Sequence, residues 1–186
     1  MILKTKLIIL DIDGVIIYSK NALFNLYSNV FKDFGYEFDK DLIPLIYGKT
    51  DKETYQTFSK LNYDLGSYED YRNSIANHRH EADKYYELTP IGNTINYLSN
   101  KYKVCVATNR TKSSAERILN KFGILEYFDY VATASEYEPK PREDMLIACI
   151  EKTNSEKENT MFVGDTKIDE LAGKKAGIKT ILVKFE

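Results

Sequence analysis

Apolar and polar positions follow two different rules along this chain. Residues 19–86 show helical spacing only, whereas beyond Pro90 short apolar runs alternate with segments of helical period. In Asn21–Phe34, apolar side chains recur at Leu23, Leu26, Tyr27, Val30, Phe31 and Phe34, and Gly35 follows as a stop. Thr50-Asp51-Lys52-Glu53 is a capping-box pattern that predicts a helix to about Leu61, and a third helix is expected from Ser67 to about Tyr86. After Pro90 the expected order is helix 91–100, strand 103–107, helix 112–122 stopped by Gly123, and strand 129–133. Helix 141–153 follows with Pro141 in its first position, then strand 160–164, helix 167–176 stopped by Gly177, and strand 179–183. Residues 6–10 are a further apolar run, too short for a helix and suited to a fully buried strand.

Alternating strands and helices predict βαβ units and a parallel sheet, which the first strand must join. The expected fold is therefore α/β: a Rossmann-like parallel-sheet core of residues 1–18 and 87–186, with a small all-helical cap, residues 19–86, inserted after the first strand. The connections around Val15–Ser19 and Glu87–Thr89 are short, and an insertion rooted there is well placed to act as a lid.

Chemistry gathers at the strand ends. The first strand stops abruptly at Asp11-Ile12-Asp13-Gly14, and ligands of open parallel sheets bind at that end of the strands. Two carboxylates so placed are costly to ionise together unless a cation or proton offsets their repulsion. Thr108-Asn109 ends a later strand, Asp165-Thr166 another, and Asp169 lies four residues beyond Asp165 on the same side of the opening helix turn. Lys140 stands between Pro139 and Pro141. Taken singly, Thr108 reads as a helix cap, Lys140 as a solvated charge, and Asp165 with Asp169 as an acidic helix start favoured by the dipole. Jointly, a hydroxyl, a lysine and four carboxylates at adjacent strand ends form a phosphate and magnesium site.

Composition narrows the classes. The chain has 186 residues, enough for one sizeable domain or one domain with an insertion. A hydrophobic fraction of 43% is too low for a membrane protein, and a net charge of -2 lacks the basic surface of a nucleic-acid binder. Leu7–Leu10 is too short for a signal-peptide core or a membrane span. Cys105 and Cys149 sit in apolar segments and read as reduced core residues of a cytoplasmic protein. His78 and His80, two apart on a helix, point to different sides and do not make a metal pair.

Asp11-Ile12-Asp13-Gly14-Val15, Thr108-Asn109, Lys140-Pro141, and Gly164-Asp165-Thr166 with Asp169 resemble, in order, the four motifs of the haloacid dehalogenase superfamily, in its phosphatase branch with a helical cap. Thr89-Pro90-Ile91 resembles the return from cap to core. Tyr18 stands where many relatives carry aspartate, and Glu143 where many carry a second proline. The resemblance implies a phosphatase acting on a small phosphorylated metabolite through an aspartyl-phosphate. Asp11 would be the nucleophile, Asp13 the general acid and base, and Thr108, Asn109 and Lys140 the phosphoryl-binding groups. Mg²⁺ would be held by Asp11, the Asp13 carbonyl and Asp165, with Asp169 orienting Lys140 or metal-bound water. A phosphomutase of the β-phosphoglucomutase type uses the same residues and differs only in its acceptor. A phospho-receiver signalling domain is the non-enzymatic alternative, but the strand ending at Thr133-Ala134-Ser135 lacks its aspartate. Lys49, in Gly48-Lys49-Thr50, is the candidate cap contact to substrate, against a plain reading as a solvated loop; the cap tyrosines, Arg72 and Arg79 either line a pocket or pack helices. No nucleic acid or membrane partner is expected, and the chain is a monomer or homodimer.

Overall fold

The computed structural model describes residues 5–185. The chain divides into two compact units, one holding residues up to Tyr18 and from Leu88 onward, the other Ser19–Glu87. Residues 1–4 and 186 of the expected core lie outside the described residues.

Strand β1 (Leu7–Leu10) is buried along its whole length, as a central parallel strand must be. Beyond it the chain turns tightly. Gly14 has φ 71°, a conformation that side-chain-bearing residues rarely adopt, and the Ile16 and Ile17 N–H groups donate to the Ile12 carbonyl at 2.9 and 3.0 Å. Strand β2 (Ile17–Tyr18) then leads into the helical unit.

That unit consists of α1 (Lys20–Asp33), α2 (Ile43–Ile46), α3 (Asp51–Lys60) and α4 (Tyr68–Ala82). Thr50 and Glu53 form the capping box their spacing predicts, and Ser67 with Asp70 forms a second at the start of α4. The unit has its own aromatic core. Phe31, Phe58 and Tyr71 are fully buried, the Phe31 and Phe58 rings meet edge-on at 4.9 Å, and the Tyr27 and Tyr71 hydroxyls are 3.3 Å apart. Tyr27 and Tyr71 therefore pack helices. Two features depart from expectation. The stretch 40–46 carries a 3₁₀ turn and α2, too short to show a period; and α4 ends at Ala82, where a 3₁₀ turn over Asp83–Tyr85 leads to strand β3 (Glu87–Leu88), paired with β2.

From β3 the chain makes α5 (Ile95–Ser99), β4 (Lys103–Thr108), α6 (Lys112–Lys121), β5 (Tyr130–Thr133), α7 (Asp144–Lys152), β6 (Thr160–Gly164), α8 (Lys167–Ala176) and β7 (Lys179–Leu182). The helix expected over 91–100 is shortened because the buried Thr89 hydroxyl accepts from the Gly92 N–H at 3.1 Å and holds a 3₁₀ turn at Gly92–Thr94. Pro141 does not open α7. Residues Pro139–Arg142 form a turn, closed by the Arg142 N–H on the Pro139 carbonyl at 3.0 Å with a cis Lys140–Pro141 peptide, and the helix begins only after it.

The five long strands form one parallel sheet in the order β5-β4-β1-β6-β7. The chain builds outward from β1 through β4 and β5, then crosses to the other side for β6 and β7. Strand order thus reverses at β1, where an α/β sheet opens a crevice at its carboxyl edge. Beneath it lies a core that includes Leu7, Ile9, Cys105, Met145, Leu146, Cys149 and Phe162. Cys105 and Cys149 are buried free thiols, and the Cys149 Sγ donates to the Val106 carbonyl at 3.4 Å. Among the described residues no helix is long and apolar enough to cross a membrane.

Candidate active site

The crevice at β1 is lined by side chains delivered from several strand ends. Asp11 follows β1 directly, and its N–H continues the ladder by donating to the Val163 carbonyl of β6 at 3.0 Å. Its side chain is nearly sealed from solvent, the residue being 4% exposed. Lys140 reaches it from the turn before α7. The Lys140 Nζ lies 2.9 Å from Asp11 Oδ1, as a charge contact rather than an aligned hydrogen bond, and donates to Asp169 Oδ1 at 2.7 Å. Lys140 and Asp169 are 2% and 1% exposed, so this is a desolvated acid–lysine–acid triad. Removing the lysine from such a group leaves uncompensated buried charge on both acids.

Asp169 owes its position to the start of α8. It is the third residue of a capping box with Thr166, and its Oδ2 accepts from Thr166 Oγ1 at 2.5 Å and from the Thr166 and Asp165 N–H groups at 3.0 and 3.3 Å. Gly164, the last residue of β6, makes room for it. A Cβ there would stand 2.2 Å from the Asp169 Cβ and 2.5 Å from its Cγ. Gly164→Ala should therefore push Asp169 and Lys140 out of register and cut turnover by about 100-fold, the scale that a 1 Å misplacement of positioned groups can reach. Activity assays on the folded variant, checked by circular dichroism, would test this; a near-normal rate would show that the triad tolerates the shift.

Burial and mutual repulsion dominate the electrostatics. Burial, reinforced by Asp169 and Asp13 and opposed by Lys140, raises the Asp11 carboxyl to about 7. Burial and the neighbouring Asp11, Asp169 and Asp13 raise Asp165 to about 8. Asp169 is also buried, but Lys140 and the Thr166 hydrogen bonds outweigh that burial and hold it below the ordinary carboxylate range. Burial disfavours the Lys140 ammonium, yet Asp11 and Asp169 prevail and hold it firmly protonated.

Asp11, Asp165 and Asp169 each offer an oxygen within 4.8 Å of the others. Asp165 Oδ1 is buried with no hydrogen-bond partner, and Asp11 Oδ1 has only the unaligned ammonium. Both Asp169 oxygens, in contrast, are already accepting hydrogen bonds. An under-satisfied pair of buried carboxylate oxygens with raised proton affinity fits a hard divalent cation, which takes oxygen ligands. Asp11 and Asp165 are the residues with capacity to hold it, and Asp169 is occupied in holding Lys140.

The remaining expected residues fall into place differently. Thr108 is buried at the end of β4, its hydroxyl oxygen accepting from the Arg110 N–H at 3.3 Å. Asn109 is buried with both ends of its amide on the Lys140 backbone: its Oδ1 accepts from the Lys140 N–H at 2.8 Å and its Nδ2 donates to the Lys140 carbonyl at 3.1 Å. These two bonds fix the turn that carries Lys140. Lys49 belongs to the helical unit, where its ammonium donates to Thr57 Oγ1 at 3.0 Å. Arg79 there pairs with Asp51 at 3.7 Å, and His78 with Asp33 at 2.9 Å.

One residue escaped the sequence reading. Arg110 forks onto Asp13, Nε to Oδ2 at 2.8 Å and Nη2 to Oδ1 at 2.7 Å, while its Nη1 donates to Ser114 Oγ at 3.0 Å. Its place immediately after Thr108-Asn109 was the only local signal.

Fold and site together are those of an α/β protein that gathers carboxylates and a buried lysine at the sheet's switch point. The chain belongs to the haloacid dehalogenase-like hydrolase family, which matches it over residues 8–183. The pyrophosphatase PpaX of Bacillus mycoides is 27% identical over 197 residues, covering 98% of this chain and 85% of that protein. A Haemophilus somnus structure provisionally named a phosphoglycolate phosphatase matches with a TM-score of 0.85 at 21% identity, covering 98% of this chain and 86% of that one. A Thermotoga maritima structure provisionally named a β-phosphoglucomutase matches with a TM-score of 0.78 at 21% identity, covering 98% and 87%. At those identities the two structures show the fold alone.

Proposed function

We propose that the protein is a Mg²⁺-dependent phosphatase that hydrolyses a small phosphorylated metabolite through an aspartyl-phosphate on Asp11. The observation that carries this reading is the triad: a buried carboxylate at the end of β1, held against a lysine that Asp169 and Asn109 fix from two directions. Family membership and the phosphatase names of relatives support it. Asp11 attacks phosphorus, forming the Asp11–phosphorus bond as the bond to the leaving oxygen breaks. Asp13 gives that oxygen its proton, then takes one from the water that hydrolyses the acyl phosphate. Lys140 and the Thr108 hydroxyl, whose oxygen already accepts from the Arg110 N–H, bind the transferring phosphoryl oxygens, where negative charge must be stabilised. Mg²⁺, held by Asp11, Asp165 and the Asp13 carbonyl, would supply countercharge to the phosphoryl group and keep Asp11 ionised. The relatives' name adds inorganic pyrophosphate to the organic phosphates worth screening, and the two buried unbridged cysteines suit a reducing cytoplasm.

The test is hydrolysis of p-nitrophenyl phosphate. EDTA should abolish turnover and Mg²⁺ restore it, with phosphate released in the absence of any sugar acceptor. Full activity in EDTA would remove the metal from the scheme, and phosphate release only on adding a sugar phosphate would establish a mutase. A melting experiment supplies a second readout. Asp11 and Asp165 have raised folded pKa values of about 7 and about 8. The stability they lend the metal-free protein is complete below the ordinary carboxylate range and is lost as pH rises through those values. Mg²⁺ displaces their protons, so its upward shift of Tm should be larger at pH 8.5 than at pH 6.

A further inference from the structure

We infer that Arg110 is a positioning residue of the reaction, holding the Asp13 side chain in the orientation from which its carboxyl, having taken a proton from solvent, passes that proton to the leaving oxygen; this rests on the phosphatase reading above. The backbone at Asp13 is fixed by the turn that Gly14 permits and by the bonds onto the Ile12 carbonyl. Those bonds act on the backbone, and the Asp13 side chain is 16% exposed. A carboxylate that must meet one particular oxygen benefits from a partner that removes that freedom. Arg110 is shaped for it. A guanidinium is planar and grips both oxygens at once, whereas an ammonium makes a single point contact. The two bonds, at 2.8 and 2.7 Å, define the carboxylate plane, and the fork uses two of the roughly four acceptor positions a carboxylate has.

Arg110 is itself anchored. Its third arm ends on Ser114 Oγ, a 6% exposed hydroxyl in the first half of α6, and its backbone N–H meets the Thr108 hydroxyl. One residue thus links the proton-transfer group to the phosphoryl-binding threonine and to a rigid helix. Pairing for stability alone does not require the fork to join these groups. Positioning does.

The experiment measures kcat/KM, which covers steps only as far as departure of the leaving group, for a series of substituted phenyl phosphates with Mg²⁺. The series runs from p-nitrophenyl phosphate, whose leaving group needs no proton, to p-methoxyphenyl phosphate, whose leaving group does. For Arg110→Gln the loss should stay under about threefold at the nitro end and reach about tenfold or more at the methoxy end, a fraction of what general acid catalysis provides. Arg110→Lys keeps the charge without the fork and should follow the glutamine variant. In an Asp13→Asn background, Arg110→Gln should add nothing further. A uniform loss across the series, full restoration by lysine, or an undiminished additive loss in the Asp13→Asn background would overturn the inference, since a structural or purely electrostatic role predicts those results. Should the glutamine variant melt far below the wild type, the lysine variant carries the same comparison. A wild-type protein inert to the whole series would refute the phosphatase reading itself, whereas an active wild type with flat variant responses refutes only the role of Arg110.

Discussion

Replacing Asp11 by asparagine should abolish turnover while leaving a folded protein that, free of metal, melts no lower than the wild type at pH 8. The activity loss should be about 10⁵-fold or more, the scale seen when an attacking group is removed from an otherwise complete site. Among the described residues no other carboxylate at the sheet edge is placed to replace it. Asp13 is forked by Arg110, Asp169 is bonded through both oxygens, and Asp165 stands at the end of a different strand. The stability side follows from the sign of the Asp11 shift. Its folded pKa of about 7 lies above the ordinary carboxylate value, so its favourable contribution is lost as pH rises through 7. At pH 8 the ionised group sits buried beside two other acids whose charges oppose its own, and a neutral amide of the same shape removes that repulsion. Lys140 retains Asp169 as its partner. Steady-state assays with Mg²⁺ and melting curves in EDTA would check both halves. A variant retaining a tenth of the wild-type rate would eliminate covalent catalysis by Asp11, and a large drop in Tm at pH 8 would show that Asp11 is held for stability.

Much of this architecture is legible in the sequence because it rests on local physics. Strand and helix alternate where apolar runs of four or five residues give way to helical spacing, and Gly35, Gly123 and Gly177 stop helices with positive φ where no side chain is tolerated as easily. The capping box at Thr50 and Glu53 needs only residues three apart. The acid pair at Asp11 and Asp13 stands out because a buried strand seldom ends in two charges. What stayed hidden depends on distant partners. Arg110 meets Asp13 across 97 residues of chain, and nothing local to either residue announces their pairing. Asn109 looks like a ligand group until the Lys140 backbone, 31 residues on, takes both ends of its amide. Pro141 obeys the local preference for a helix start, but the turn that aims Lys140 at Asp11 displaces the helix to Asp144. Strands β2 and β3, two residues each, are too short to carry any period.

Lys140→Met should be the most disruptive change outside the nucleophile, because it strikes catalysis and stability through one atom. Methionine keeps an unbranched apolar stem, one atom shorter, beside the Phe162 ring, which lies 5.5 Å from the ammonium. It deletes the charge between Asp11 and Asp169. Loss of one preorganised group on the transferring phosphoryl should lower kcat by about 10² to 10³-fold. Removing one partner from a buried ionic group typically costs about 3–5 kcal/mol. That cost should depend on pH in a set direction. In the wild type, Lys140 keeps the Asp169 pKa low, so Asp169 contributes stability above the ordinary carboxylate range and loses it only as pH falls through the lowered value. Without the lysine, only the Thr166 hydrogen bonds oppose burial at Asp169, and burial acts more strongly on Asp11, so both folded pKa values rise. Asp169 then contributes less above the ordinary carboxylate range, and the contribution of Asp11, already present in acid and lost as pH increases, is lost over a larger span. The gap in Tm between wild type and variant should accordingly widen from pH 5.5 to pH 8 in metal-free buffer. Melting curves across that range decide the matter: a gap that stays constant or narrows toward alkaline pH would mean that Lys140 does not compensate the two carboxylates it touches.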